Sequence, residues 1–278
     1  MQLEPGQDSP PHRPGRSPCA LPNRVWFAGH ATTIVDLDGF RIITDPILRD
    51  RVSALTRRTA VPWSAVAHPV DGVVISHLHH DHLDIPSLRR LGPGVPLLVP
   101  PRAGPFLARY GFGNVTELRV GEAATVGSVR VVATPARHSG FRAPFGPAAG
   151  CVGFLLQGSA RVYFAGDTDL FPTMRKLGPV DVALLPVWGW GPRLGPGHLD
   201  PLRAALALLM LRPKLAIPIH WGTLAPIGLR RDMKYMTDPP HRFRRLAREY
   251  APEVDVRILA PGEHVDLGRV LAGEEGAS

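Results

Sequence analysis

The sequence predicts an α+β fold in which two sheets pack face to face with helices outside. Three observations lead there. Short β-branched runs of strand length recur along the 278 residues, they fall into two groups, and helical periodicity is clear in only two segments.

In chain order, RVWFAG from Arg24, TTIVDL from Thr32, RIITDP from Arg41, GVVISH from Gly72 and PLLVP from Pro96 form the first group. VRVVATP from Val129, CVGFLLQG from Cys151, RVYFAGD from Arg161, VDVALLPV from Val180, LAIPIHW from Leu215 and VRILAPG from Val256 form the second. Each run is bounded by Gly, Pro or Asp, as strands are. Asp38-Gly39, between the second and third runs, suits the tight turn that strand twist prefers, so a hairpin is expected there. A helix is expected from Asp200 as N-cap, with Pro201 in its first turn and Leu202, Ala205, Leu206, Leu209 and Met210 on one apolar face. A second helix, PPHRFRRLAREY from Pro239, turns Phe243, Leu246, Ala247 and Tyr250 inward and its arginines outward.

Residues 1–22 are rich in Pro, Gly and Ser and are expected to form a disordered tail, leaving 23–278 as one domain. An apolar fraction of 44% fills a substantial core. No stretch approaches the roughly 20 apolar residues of a spanning helix, and the N-terminus lacks the apolar centre of a signal peptide. A soluble, cytoplasmic protein is therefore expected. Cys19 and Cys151 stand far apart with no C-x-x-C pair, so neither a disulfide framework nor a thiolate zinc site is indicated.

The net charge of +8 is concentrated in two places. Residues 49–58 hold four Arg against Asp50, and residues 230–248 hold six Arg and Lys234 against Asp232 and Asp238. Each segment reads as a solvated basic face or as a surface attracting phosphate or an anionic lipid, the second as a helix lying peripherally on a membrane. Oligomeric state leaves no mark in the sequence.

The chemistry concentrates in VVISHLHHDHLD, residues 73–84, directly behind an apolar run. On a strand, His77 and His79 point the same way while His80 points elsewhere, so two imidazoles can grip one metal ion. Asp81 and His82 follow where the chain turns and can reach a second ion. Further ligand types stand where other runs end: His138 after VVATP, Asp167 in FAGD and His220 in PIHW.

This order, H-x-H-x-D-H, then His, then G-D-T, then a late His, resembles the metallo-β-lactamase fold over roughly residues 24–268. The resemblance implies a four-layer αββα sandwich. It also implies that His77, His79 and His138 hold one metal, that Asp81, His82 and His220 hold another, and that Asp167 bridges them. FAGHATTIVDLDGFRIITDPIL, SHLHHDHLD, FAGDTDLFP, GHLDP and PIHWGTL are similar to the group containing N-acyl phosphatidylethanolamine phospholipase D and the ascorbate-6-phosphate lactonases. That group implies a phosphodiesterase of phospholipase D type acting on a small or lipid-derived diester, or else a lactonase acting on a phosphorylated sugar. The lipid-binding N-terminal portion of the mammalian phospholipase has no counterpart in the Pro-rich tail.

Two divalent ions would lower the pKa of a bridging water toward neutrality, making hydroxide the nucleophile, and polarise the electrophile. Asp81 and Asp167 would orient that nucleophile. His198, placed by the family motif, would contact substrate or protonate the leaving group. His30 and Asp45, at strand ends, read as partners that fix ligand tautomers or as hairpin structure. Trp188, Trp190, Phe141 and Phe145 are candidate pocket walls, and Arg57 and Arg58 candidate phosphate contacts. Five imidazoles favour zinc, with manganese or iron(II) compatible with the two carboxylates. A nuclease resembling ribonuclease Z lacks an inserted arm here, so nucleic acid is not the expected partner; a non-catalytic metal-binding protein is the remaining class.

Overall fold

In the computed structural model, which describes residues 21–144, 146–228 and 233–272, two seven-stranded sheets face each other. The first runs in the order His264–Asp266, Arg24–Gly29, Thr32–Leu37, Phe40–Thr44, Gly72–Val74, Leu97–Val99, Val115–Glu117. The second runs Asp255–Val256, Leu215–Ile219, Val182–Pro186, Arg161–Phe164, Val152–Gln157, Val129–Pro135, Ala123–Val126. Each sheet is antiparallel at one flank and parallel at the other.

Side-chain alternation produces the layers. Val25, Phe27, Val35 and Ile42 point inward and meet Val131, Phe154, Val162 and Leu184 of the opposite sheet, closing the central core. The other face of the first sheet, with Ala28, Ile34 and Ile43, is covered by the short helices Trp63–Val66, Ile85–Leu91 and Gly104–Ala108. The outer face of the second, with Tyr163 and Ala183, is covered by helices Pro201–Leu211 and Lys234–Tyr250. This is the αββα sandwich. A small third sheet joins Leu224–Pro226, Leu55–Arg57 and Arg51–Val52 beside the first layer.

Local signals held in part. Asp38 and Gly39 both adopt positive φ, 52° and 84°, which turns strand Thr32–Leu37 back onto Phe40–Thr44. The Asp200 carboxylate accepts from the Arg203 N–H at 2.8 Å and caps its helix as expected.

The buried face of that helix differs from the expected one. Ala204, Ala205, Ala207, Leu208 and Leu211 are buried, whereas Leu202 is exposed and Leu209 is 49% exposed. The helix packs both on the sheet and along its neighbour Lys234–Tyr250, and its alanines, with Leu208 and Leu211, face those two contacts while Leu202 and Leu209 are left outward. In the neighbouring helix Phe243 and Ala247 are buried but Tyr250 is exposed, and the helix starts five residues before Pro239. VRILAPG keeps only Val256 in a strand; after it Arg257 N–H still reaches the Ala216 carbonyl at 3.0 Å, and the chain then leaves the sheet. GVVISH is a strand only to Val74. Residues 1–20 of the expected tail, with Cys19, lie outside the described residues, as do Phe145, Arg230, Arg231 and Asp232.

One buried ion pair fastens the first helical layer to its sheet. Arg41 donates through Nε and Nη2 to both oxygens of Asp36, at 2.6 and 2.7 Å, and through Nη1 to the Ala65 carbonyl at 3.0 Å. Trp26 Nε1 donates to the same carboxylate at 3.0 Å. Arg41→Met strands a buried carboxylate and is expected to cost about 3–5 kcal/mol. Urea unfolding measures it, and a loss below about 1 kcal/mol, the range of an exposed pair, would contradict this placement.

Candidate metal centre

The candidate ligands come from separate loops that converge where strands end. Asp45 follows strand Phe40–Thr44, His77 to His82 follow Gly72–Val74, His138 follows Val129–Pro135, Asp167 follows Arg161–Phe164 and His220 follows Leu215–Ile219. Parallel strands deliver their carboxyl ends to one edge, so loops distant in sequence meet there. The turns are tight. His30, Asp45 and His220 take left-handed φ values of 56°, 34° and 62°, a conformation that non-glycine residues hold only when their surroundings enforce it. Gly166, at φ 59°, precedes Asp167 because a Cβ there would lie 2.5 Å from the Ser76 Cβ.

Four overlapping groups of ligand atoms result among the described residues, of which Asp45, His77 and His82 make one and His138, Asp167 and His198 another; the remaining two match the expected sets. His77, His79 and His138 form one; Asp81, His82 and His220, with His30 beside them, form the other. Asp167 Oδ2 lies between: 3.9 Å from His77 Nε2 and from His138 Nε2, 3.1 Å from His82 Nε2 and 3.3 Å from His220 Nε2. The histidines within each group are at hydrogen-bond range of one another or nearly so, His138 Nε2 to His79 Nδ1 at 3.1 Å for one.

The far side of each ring is occupied. His82 Nδ1 donates to Asp45 Oδ2 at 2.7 Å, His220 Nδ1 to the Trp188 carbonyl at 2.8 Å and His138 Nδ1 to the Gly197 carbonyl at 3.0 Å. Ser76 Oγ gives its proton to Asp45 Oδ2 at 2.5 Å and is left to accept from His77 Nδ1 at 2.9 Å. These bonds select the tautomer whose Nε2 lone pair points inward, as outer partners of metal-bound imidazoles do. His77 Nε2 and Asp167 Oδ1 are buried with no hydrogen-bond partner among the described residues. An inward cluster of lone pairs and carboxylates with orphaned buried atoms fits a cation, and the donor set of imidazole and carboxylate suits divalent transition metals.

Protonation follows from the same packing. Burial holds His30 down to about 3 and His138 down to about 4, and lowers His77 and His79. Burial works against charge on Asp81 and Asp167 as well, but the surrounding histidines outweigh it and keep both carboxylates well below their ordinary range. His82 is raised in spite of burial, by Asp167 and Asp81. His198 Nε2 lies 3.3 Å from Asp167 Oδ2, and that carboxylate outweighs burial and raises the imidazole. Cys151, near Asp167 and Asp45, is pushed up to about 12 by burial and remains a thiol.

The remaining expected residues divide. His30 Nε2 meets Asp81 Oδ2 at 3.0 Å, and Asp45 receives the Ser76 N–H at 2.7 Å together with His82, so both contact the cluster directly. Trp188 is half-buried, its indole bound to the Gly191 carbonyl at 3.0 Å. Trp190 and Phe141 are 40% and 45% exposed, on the loops that also carry Trp188 and His138. Arg57 corrects the expectation. It is buried and donates to the Thr59, Ile47 and Ala28 carbonyls, so it braces the loop before His30 and leaves no fork for a phosphate. Arg58 is half-buried, its backbone N–H on the Thr223 carbonyl at 2.8 Å. Sequence reading missed Ser76, Thr223, whose Oγ1 accepts from His30 N–H at 2.8 Å, and the Trp188 and Gly197 carbonyls. Backbone acceptors carry no side-chain signal, and Ser76 was legible only as the neighbour of His77.

Residues 40–221 match the beta-lactamase superfamily domain. Over 268 residues the chain is 31% identical to the N-acyl-phosphatidylethanolamine-hydrolyzing phospholipase D 1 of Caenorhabditis elegans, covering 86% of this chain and 74% of that protein. Over 265 residues it is 31% identical to a metal-dependent hydrolase of Aeropyrum pernix, covering 88% and 97%. A metallo hydrolase from Ignicoccus hospitalis superposes with TM-score 0.68 at 26% identity, covering 88% of this chain and 98% of that one. The chain belongs to the beta-lactamase superfamily, with the metallo-β-lactamase fold. Within it, this is a metal-dependent hydrolase.

The pKa shifts set the pH response of the metal-free protein. His30, His77, His79 and His138 stay neutral when folded but protonate near 6.5 once unfolded, whereas the raised His82 and His198 already carry their protons. Unfolding therefore takes up protons below 6.5, and stability falls as pH falls through that window toward about 4. Thermal unfolding of metal-stripped protein should give a Tm that drops between about pH 6.5 and pH 5. A flat or rising profile would contradict a neutral histidine cluster.

Proposed function

We propose that the protein is a dinuclear phosphodiesterase of phospholipase D type, in which His77, His79 and His138 hold one ion, Asp81, His82 and His220 the other, and Asp167 stands between them. The observation that carries this reading is the set of outer hydrogen bonds that turns the Nε2 atoms of His77, His82, His138 and His220 inward around one carboxylate. Zinc suits five imidazoles best, with manganese or iron(II) as the alternatives a metal reconstitution would reveal. When bound, the ions supply a water acidic enough to attack at neutral pH and Lewis acidity toward the electrophile.

The chain supplies the rest. Asp81 and Asp167, held ionised, accept hydrogen bonds from the attacking water and orient it. His198, with Nδ1 donating to the Gly195 carbonyl at 3.1 Å, keeps a proton on Nε2 for the departing oxygen. Trp188, Trp190 and Phe141 wall the approach. The similarity to the Caenorhabditis elegans phospholipase supports a diester with a lipid-derived part. Arg242, Arg245 and Arg248, exposed on helix Lys234–Tyr250, offer a cationic face to an anionic lipid surface. No helix among the described residues is long and apolar enough to cross a membrane.

The test is hydrolysis of bis(p-nitrophenyl) phosphate beside a lactone panel, with metal-stripped protein reloaded separately with zinc, manganese and iron(II). Metal-restored diester cleavage supports the reading; lactone turnover alone replaces it with the lactonase. Asp81→Asn should abolish turnover while the fold survives. His198→Gln should lower kcat by about 10²–10⁴ on an alkyl diester and far less on a p-nitrophenyl one, whose leaving group needs no proton. Equal losses on both substrates would remove His198 from the acid role. Co-sedimentation with anionic vesicles that weakens as salt rises is expected of the Arg242 face, and salt-independent or absent binding would refute it.

A further inference from the structure

We propose that Arg142 is a positioning residue that sets the backbone of the ligand loop from outside the centre and couples it to the loop at the mouth of the site; this rests on the dinuclear reading above. Strand Gly72–Val74 ends before the ligands begin, so His77 to His82 lie on irregular chain. Inside that loop the His82 and Leu83 N–H groups both turn back to the His79 carbonyl, at 3.1 and 2.8 Å. The carbonyls of Leu78 and Leu83, which bracket His79, His80, Asp81 and His82, are reached by no backbone N–H among the described residues. Both residues are buried. One nitrogen, Arg142 Nη1, donates to both carbonyls, to Leu83 at 3.1 Å.

Arg142 is itself buried, its guanidinium 5.2 Å from the centre of the Phe106 ring. Those two hydrogen bonds go to carbonyls and not to a carboxylate, so the cation is spent on holding the loop. A planar guanidinium can straddle two acceptors and lie against an aromatic ring, which an ammonium does poorly.

The same residue belongs to the loop that follows His138. Its N–H meets the Pro147 carbonyl at 3.1 Å, its carbonyl receives Gly146 N–H at 2.7 Å, and Phe141 bridges to Ala148. His80, the one histidine of the motif turned away from the centre, donates through Nε2 to the Ala143 carbonyl at 3.1 Å and fastens the two loops a second time. The exposed Phe141 is therefore one residue from the clamp on His79, Asp81 and His82. Asp45 fixes one ligand ring directly and a second through Ser76; Arg142 fixes the path of a loop that serves both ions.

The test compares zinc affinity, by chelator competition on metal-stripped protein, with the Tm of the metal-free form for Arg142→Gln, Arg142→Lys and Arg41→Met. Arg41→Met removes another buried arginine, whose side chain bonds Asp36 and the Ala65 carbonyl and touches no ligand loop, and should lower Tm with zinc affinity unchanged. Arg142→Gln should weaken zinc binding about 10–100-fold at temperatures where it is fully folded, alter the visible spectrum of the cobalt(II) form, and be partly rescued in Arg142→Lys. Should the Gln variant fail to fold, the Lys variant carries the comparison and must show weaker zinc binding. Wild-type affinity and cobalt spectrum in a folded Arg142 variant would overturn the proposal. Wild-type protein that takes up no zinc, manganese or iron(II) would overturn the dinuclear reading itself, and that result is visible before any variant is measured.

Discussion

The candidate centre depends on the buried carboxylate of Asp45. One oxygen receives the Ser76 N–H; the other receives Ser76 Oγ–H and His82 Nδ1–H. Its own carbonyl accepts from Thr32 Oγ1 at 2.8 Å, which pins the strained turn at φ 34°. Three consequences follow from one group. His82 has its tautomer chosen, His77 has its tautomer chosen through Ser76, and the chain leaving strand Gly72–Val74 starts its ligand loop from a defined point. Burial outweighs the three donors and leaves this carboxyl raised in pKa, and without those donors an ionised acid there would be costlier still.

Charge balance inside the site has the same logic. Asp81 and Asp167 sit ionised among imidazoles that burial keeps mostly neutral, and the Nε2 atoms of His82, His138, His198 and His220 lie within 3.9 Å of a single Asp167 oxygen. Packing several lone pairs around carboxylates without solvent is unfavourable unless positive charge compensates them. In the metal-free state His82 and His198 take that role by holding protons. On the dinuclear reading divalent ions would take over that role, with His77, His79 and His138 serving one and His82 and His220 the other, so their binding would compete with protons and weaken as pH falls.

Around this centre, rigidity is unevenly supplied. The sheets hold the strand ends through a continuous apolar core, while the loops are fixed by arginines working on backbone carbonyls: Arg57 beneath His30 and Arg142 behind the ligand loop. Arg57 comes from a basic segment where a charge reading points to substrate, and the geometry points to bracing. A buried guanidinium has enough donors to satisfy several carbonyls that no ladder reaches, which is why it appears where regular structure stops.

By itself, the sequence determined the fold class, the hairpin at Asp38-Gly39, the capped helix at Asp200 and the run of ligand-type residues in H-x-H-x-D-H. These are local: they rest on alternation, turn chemistry, capping and the spacing of H-x-H-x-D-H, and each needs only a few consecutive residues. Tertiary structure alone decided which face of helix Pro201–Leu211 is buried, that Arg57 is a brace, and that Ser76, Thr223 and the carbonyls of Trp188 and Gly197 complete the site. Their roles arise between segments up to 193 residues apart, as in the bond from His30 to Thr223. Backbone carbonyls are the same at every position, so which of them a histidine or guanidinium meets is settled only when the sheets bring the loops together.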